Sequence, residues 1–319
     1  MHFAANSQTM NIVRGVSRLQ GPVAYPVVAL GNFDGVHLGH RKIFAIAVAQ
    51  AQAHHGTPTV LTFEPHPLAV LAPHKVPPLL TGFSEKMRRL EQCGITLTVC
   101  EEFTKEYAAL SARDFAHHVL AQALGAREVV VGFDYAFGKD REGDTRRLRQ
   151  LGVEFGFAVH VAEAVAVGGG PVSSSRIRET IQKGDMAAAG ALLGRPYALT
   201  GAVVPGAGRG AGIGFPTANI DIGPLQIPAP GVYAAQTTLD GTEHPAAVNI
   251  GVRPTFGDGR LAVEAHILDF TGDLRKREIE IRFIRKIRDE IRFPSPDALV
   301  RQIAMDVQSV RNLFTERTT

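Results

Sequence analysis

From Pro26 to about Ile181, short apolar runs alternate with amphipathic stretches, the pattern of parallel strands covered by helices. The runs VVALGNF, TVLTFEP, ITLTVC, EVVVGF and FAVHVAEAV read as strands. Between them the pattern predicts helices starting near His40, near Ser84 and after Ser111, where Asp114 completes a capping pair. Gly56, Gly94 and Gly125 are placed to close those helices. After Leu193 the rhythm changes to β-rich segments separated by Gly and Pro: YALTGAVV, GVYAAQTTL, HPAAVNIGV, LAVEAHIL and REIEIRF. This predicts a small barrel or sandwich. A long amphipathic helix, opened by Ser295 and Pro296, should pack against it. The segment GDMAAAGALLGRPY offers a short Ala-rich helix, then Gly194 and Pro196, and marks the junction. The expected organisation is an α/β domain over residues 1–188 and a β domain over 189–319.

Length agrees with two domains, since 319 residues exceed one ordinary core. An apolar fraction of 45% with 20% charged residues describes a globular chain. No apolar run is long enough to cross a bilayer, and MHFAANSQTMNIVRG lacks the basic-then-apolar order of a secretory signal. A cytoplasmic location without membrane association is therefore expected. Cys93 and Cys100 are too few for a disulfide framework and read as buried small apolar residues. The formal charge of +3 is spread among acidic residues, so a nucleic-acid partner is not expected and a small polyanionic substrate fits better. REIEIRFIRKIRDEIR, although charge-rich, alternates Ile279, Ile281 and Phe283 as a half-buried strand would. No feature marks an oligomer interface.

The first candidate site is a strand running directly into GNFDGVHLGH, residues 31–40, and then a helix. A glycine-bearing turn at a helix N-terminus presents backbone N–H groups and the positive helix end to whatever lies above the strand, and phosphate is the usual guest. His37 and His40 add donors from the same turn. Read as metal ligands they lack a third partner at convincing spacing. Alone, the turn could also be a capping loop with incidental histidines.

The decapeptide resembles the HxGH motif of nucleotidyltransferases, and specifically that of the bacterial bifunctional riboflavin kinase and FAD synthetase family. FEPHP at 63–67, VGFDYAFGKDREGD at 131–144 and SSSRIR at 173–178 follow in that family's order. The resemblance implies a Rossmann-like nucleotidyltransferase domain that joins FMN to ATP, giving FAD and pyrophosphate. It implies that His37 and His40 stabilise the transferring α-phosphoryl group, with Gly31, Asn32, Phe33, Asp34 and Gly39 of the same turn as binding residues. FMN brings its own ionised phosphate as nucleophile, so alignment and charge stabilisation suffice. Ser174 and Ser175 start a helix suited to anions, and Arg178 is the candidate triphosphate clamp, although SSSRIR alone is also just a capped basic helix. The family usually has threonine where this chain has Ser175, a change that keeps the hydroxyl. Phe63, Pro65 and His66 form a stiff loop after the second strand that could wall the flavin. Asp134 matches a polar residue near the adenylylation site, or is a turn former.

In the β domain, Gly206, Gly208, Gly210, Gly212 and Gly214 stand in PGAGRGAGIGFPTANI. No long helix follows, so a dinucleotide fold is not indicated and a phosphate-covering flap is. GFPTANI, with Pro216, resembles the PTAN motif of riboflavin kinases, which implies that Thr217 and Asn219 help hold the Mg2+ that bridges ATP phosphates. Their hard oxygens suit that ion. Riboflavin offers a neutral alcohol, so phosphorylation benefits from a base. Glu264, in LAVEAHILDF, matches the family's catalytic glutamate; without the resemblance it is an ordinary exposed strand glutamate. GVY at 231–233, NIGVRPTF with Asn249 and Arg253, and IRDEIRF extend the match, the first two shaping the ATP and flavin pocket. One departure stands out: Leu274, Arg275, Lys276 and Arg277 replace the family's Leu-Tyr-Gly-Lys, and loss of the turn glycine predicts altered loop geometry. Two other readings share parts of this set: a nucleotidyltransferase for another phosphorylated vitamin, and a flavin-binding regulator.

Overall fold

The computed structural model describes residues 9–206, 209–252 and 261–316. They form two compact units, the first running to Pro77 and resuming over Phe83–Val172, the second taking Pro78–Gly82 and the chain from Ser173 onward.

The first unit is built on six strands: β1 (Asn11–Arg14), β2 (Pro26–Leu30), β3 (Thr57–Glu64), β4 (Leu97–Glu102), β5 (Glu128–Gly132) and β6 (Ala158–Ala162). They lie in the order β1-β4-β3-β2-β5-β6, with every pair parallel. All five residues of β2 are buried, as a central parallel strand requires. Successive residues point to opposite faces, so Val27 and Ala29 join one core and Val28 and Leu30 the other. The first core is covered by α1 (Leu38–Ala53) and α3 (Phe83–Gln92) through Phe44, Ala47, Met87 and Leu90. The second is covered by α5 (Ala112–Asp114), its wider π-helical continuation Phe115–Ala123, and α6 (Thr145–Phe155). Ser111 caps α5 by accepting from Asp114 N–H at 3.0 Å. Two short helices, α2 (Pro67–Leu71) and α4 (Lys105–Ala108), follow β3 and β4, and β7 (Ala166–Val167) pairs with β8 (Gly170–Pro171). Because the chain leaves β2 toward β3 and returns to β5 on the other side, the switch point of the sheet lies at the C-terminal ends of β2 and β5. Open α/β sheets bind ligands there. Cys100 is buried as expected, whereas Cys93, one residue past α3, is only half-buried.

In the second unit α7 (Ser174–Gln182) and α8 (Met186–Leu193) precede β9 (Ala198–Val204), α9 (Arg209–Gly212), β10 (Ala218–Asp221), β11 (Gly231–Leu239), β12 (Thr242–Val252), β13 (Leu261–Ile267) and β14 (Glu278–Arg288). The six strands close into an antiparallel barrel, β10-β13-β12-β11-β14-β9, which leaves no sheet edge. Ile279, Ile281 and Phe283 face the interior from β14, while its charged residues stay outside. α10 (Pro296–Glu316) lays Val310 on Ala234 and Leu268. Arg288 grips the buried Asp306 carboxylate through Nε at 3.0 Å and Nη2 at 2.7 Å, and Gln302 donates to it at 3.0 Å. Such a satisfied pair fixes the helix on the barrel, and removing one partner of it costs about 3–5 kcal/mol.

Lys276 adopts φ 64°, the left-handed conformation that the missing glycine would favour. For a residue with a Cβ that conformation costs about 1–2 kcal/mol. Lys276 is exposed and loses no packing on truncation. Lys276→Gly is expected to raise stability by about 0.5–1 kcal/mol, the relief being partly offset by the freer unfolded chain, and denaturant unfolding reads it directly.

Candidate active sites

The turn after β2 is held in an unusual backbone path. Phe33, Gly35 and Val36 have φ of 55°, 87° and 41°, yet Phe33 and Val36 are almost fully buried. A left-handed valine persists only where its surroundings over-determine it, a feature concentrated at functional sites. α1 starts at Leu38, two residues before the expected point, because His37 is its N-cap: Nδ1 accepts from His40 N–H at 3.3 Å. That bond places the proton of a neutral His37 ring on Nε2, making Nε2 the ring's donor. The His37 and His40 rings stack at 3.5 Å between centroids, and His40 meets the Phe33 ring edge-on at 5.2 Å. A Cβ on Gly39 would stand 3.1 Å from the His37 ring, so glycine permits this close stack. Asp34 is buried within the same turn.

Phe63, next to the end of β3, packs against Phe103 and Tyr107, at 5.5 and 5.7 Å between centroids. His66 caps α2 by accepting from Leu68 N–H at 3.1 Å, which gives it a local structural role. A cavity of about 600 Å³ opens at the C-terminal ends of β1, β3 and β4, lined by Arg14, Ser17, Arg18, Glu64, Pro65, Cys100, Glu101 and Glu102 among others. Burial pushes the Cys100 thiol pKa up, so it stays protonated. Pro65 is the one sequence-derived candidate on this wall. Arg14 and Arg18 escaped the sequence reading because β1 did: four residues, NIVR, with little burial, carry no strand pattern. Asp134 lies exposed in the turn after β5, its Oδ1 only 3.2 Å from where a Gly132 Cβ would sit.

Ser173, rather than Ser174 or Ser175, caps α7 by accepting from Arg176 N–H at 3.2 Å; Ser174 and Ser175 form its first turn. Arg178 is buried, and its Nε donates to the Pro78 carbonyl at 2.7 Å. Arg178 thereby ties α7 to the Pro78–Gly82 segment of its own unit.

The barrel brings three candidates onto one rung. Asn219 on β10 pairs with Glu264 on β13, and Glu264 pairs with Asn249 on β12. Directly opposed residues share a face, and the next rung, Ile220, Val263 and Ile250, is buried inside, so Asn219, Glu264 and Asn249 line the outer face. PTAN is thus partly a strand, a feature its sequence did not reveal beyond being extended. Thr217 precedes β10 and is exposed. A Cβ on Gly206 would fall 2.0 Å from the Asn219 amide, so the glycine segment lies directly against that side chain. His266 binds the Pro216 carbonyl through Nδ1 at 2.8 Å and meets Phe215 edge-on at 5.5 Å, fixing the approach to Thr217. Gly214 takes φ 86° before this segment. Gly208 and Arg253 lie outside the described residues. Thr217 and Asn219 offer neutral oxygen donors beside one carboxylate, a set that fits an ion whose remaining partners are nucleotide phosphates and water.

Two family models match the chain in series, FAD synthetase over residues 23–176 and riboflavin kinase over 193–314. The bifunctional riboflavin kinase/FMN adenylyltransferase of Escherichia coli K12 is 38% identical over 96% of this chain and 98% of its own length. That of Pseudomonas fluorescens is 37% identical over 95% and 98%, and that of Bacillus subtilis 34% over 97% and 98%. Among solved structures, a Streptococcus pneumoniae protein named for macrolide efflux superposes with a TM-score of 0.85 at 31% identity, covering 95% of this chain and 99% of that one. No helix among the described residues is long and apolar enough to cross a membrane. By its two domain matches and its near full-length relatives, the chain belongs to the family of bifunctional riboflavin kinase/FMN adenylyltransferases.

Proposed function

We propose that the chain makes FAD from riboflavin in two ATP-dependent steps, phosphorylation within residues 189–319 and adenylylation within residues 1–188. The observation that carries the reading is the rung Asn219–Glu264–Asn249, which sets a carboxylate between amides beside the PTAN segment.

In the kinase step Glu264 takes the proton of the riboflavin primary hydroxyl as its oxygen attacks the γ-phosphorus of ATP. The bond from that phosphorus to the β,γ-bridging oxygen breaks, and ADP leaves. Thr217 and Asn219 would hold Mg2+, which when bound offsets the negative charge of the ATP phosphates. Asn249 orients the carboxylate's surroundings on the same rung, and Pro216, held by His266, sets the course of the chain into Thr217.

In the adenylylation step a phosphate oxygen of FMN attacks the α-phosphorus of ATP, the bond to the bridging oxygen breaks, and pyrophosphate leaves. His37 and His40 donate to the oxygens on which charge grows, and the strained turn keeps them in place beforehand. The cavity beside Pro65 is the proposed seat of the flavin, with Arg14 and Arg18 supplying donors at its rim. Riboflavin, FMN, FAD and ATP are the partners of this reading, and the cytoplasm, where ATP and Mg2+ are abundant, its proposed location. Protein given FMN, ATP and Mg2+ should form FAD and pyrophosphate in equal amounts; FMN left unchanged would remove the adenylylation assignment.

A further inference from the structure

We infer that Lys86 is a positioning residue for the adenylyl-transfer turn, an inference that rests on reading His37 and His40 as the adenylylation centre. Lys86 lies on α3 among Met87 and Leu90, and only 6% of it is exposed. An ammonium group on an amphipathic helix ordinarily reaches water; burying one costs free energy unless it is paired and hydrogen-bonded. Here Nζ donates to the Asn32 carbonyl at 3.4 Å, and the fully buried Thr62 hydroxyl donates to the same oxygen at 3.1 Å.

Asn32 opens the turn whose next residues include the left-handed Phe33, Gly35 and Val36. The Asn32 carbonyl and the Phe33 N–H belong to one planar peptide and point in opposite senses. Two donors from different elements, β3 and α3, therefore fix the orientation of that whole peptide, and with it the start of the path leading to His37. The local charges agree with a strained but compensated ammonium: burial lowers its pKa most and Arg14 adds to this, whereas Glu64 and Asp34 act in the opposite direction. Lys86 thus trades solvation for control of one peptide plane. A turn freed from it would still bind its substrates but hold the histidines less well for adenylyl transfer.

Steady-state kinetics of FMN adenylylation by the full-length protein test this with Lys86→Met and Thr62→Val, beside riboflavin phosphorylation and thermal melting as controls and His40→Ala as reference. Lys86→Met is expected to lower kcat roughly 10- to 100-fold while the KM values for FMN and ATP stay within about twofold, the signature of misplaced groups rather than lost binding. Thr62→Val should move kcat in the same direction by a smaller factor, and riboflavin phosphorylation should hold in both. A folded Lys86→Met protein with kcat within about twofold of the parent, or with KM raised and kcat kept, overturns the inference. If Lys86→Met does not fold, Thr62→Val decides by the same criteria. Full adenylylation by His40→Ala would instead remove the underlying assignment, and the inference with it.

Discussion

Glu264→Gln is expected to lower riboflavin phosphorylation about 10²- to 10⁴-fold, the span that a positioned general base contributes. Glutamine keeps the shape of the side chain and its place on the rung between Asn219 and Asn249. It cannot accept the hydroxyl proton. The loss should therefore fall on kcat, with KM for riboflavin little changed. The same protein given FMN should make FAD at the parental rate, because His37, His40 and the cavity beside Pro65 are in the other unit. Initial rates with each flavin supplied separately decide the matter, and equal loss of both activities would refute the separation of the two sites.

His40→Ala should produce the opposite defect, with FAD formation falling about 10²- to 10³-fold, as when one preorganised donor is removed from a developing anion. FMN would then accumulate from riboflavin. His40 is a cleaner target than His37, whose Nδ1 caps α1, so that alanine at His37 would add about 1 kcal/mol of lost capping to any chemical effect. Chromatography of the flavins from a riboflavin reaction separates the outcomes. Normal FAD output would take His40 out of the mechanism.

Most of the architecture was legible because strand and helix announce themselves by different periods. β2 to β6 and β11 to β14 stood at apolar runs between Gly and Pro, and α10 at its Ser295-Pro296 start. β1 did not, since NIVR relies on pairing with β4 rather than on its own pattern. The barrel topology likewise depends on pairings between distant strands, and no local motif states that Asn249 will stand beside Glu264. Lys276 shows the reverse case: the residue breaks the turn rule, and the surrounding chain imposes the left-handed turn regardless. Arg178 reads as an arginine in the first turns of its helix, while its bond to Pro78 joins residues one hundred positions apart. Lys86 looks like any lysine on an amphipathic helix until Asn32 and Thr62 are seen beside it.

The central claim, two successive chemistries on one chain, is tested by a time course of the purified protein with riboflavin, ATP and Mg2+, following all three flavins. The account predicts that FMN rises first and is then drawn into FAD, with ADP and pyrophosphate as the paired products. FMN accumulating without FAD would contradict the adenylylation half, and riboflavin bound but unchanged would contradict the phosphorylation half.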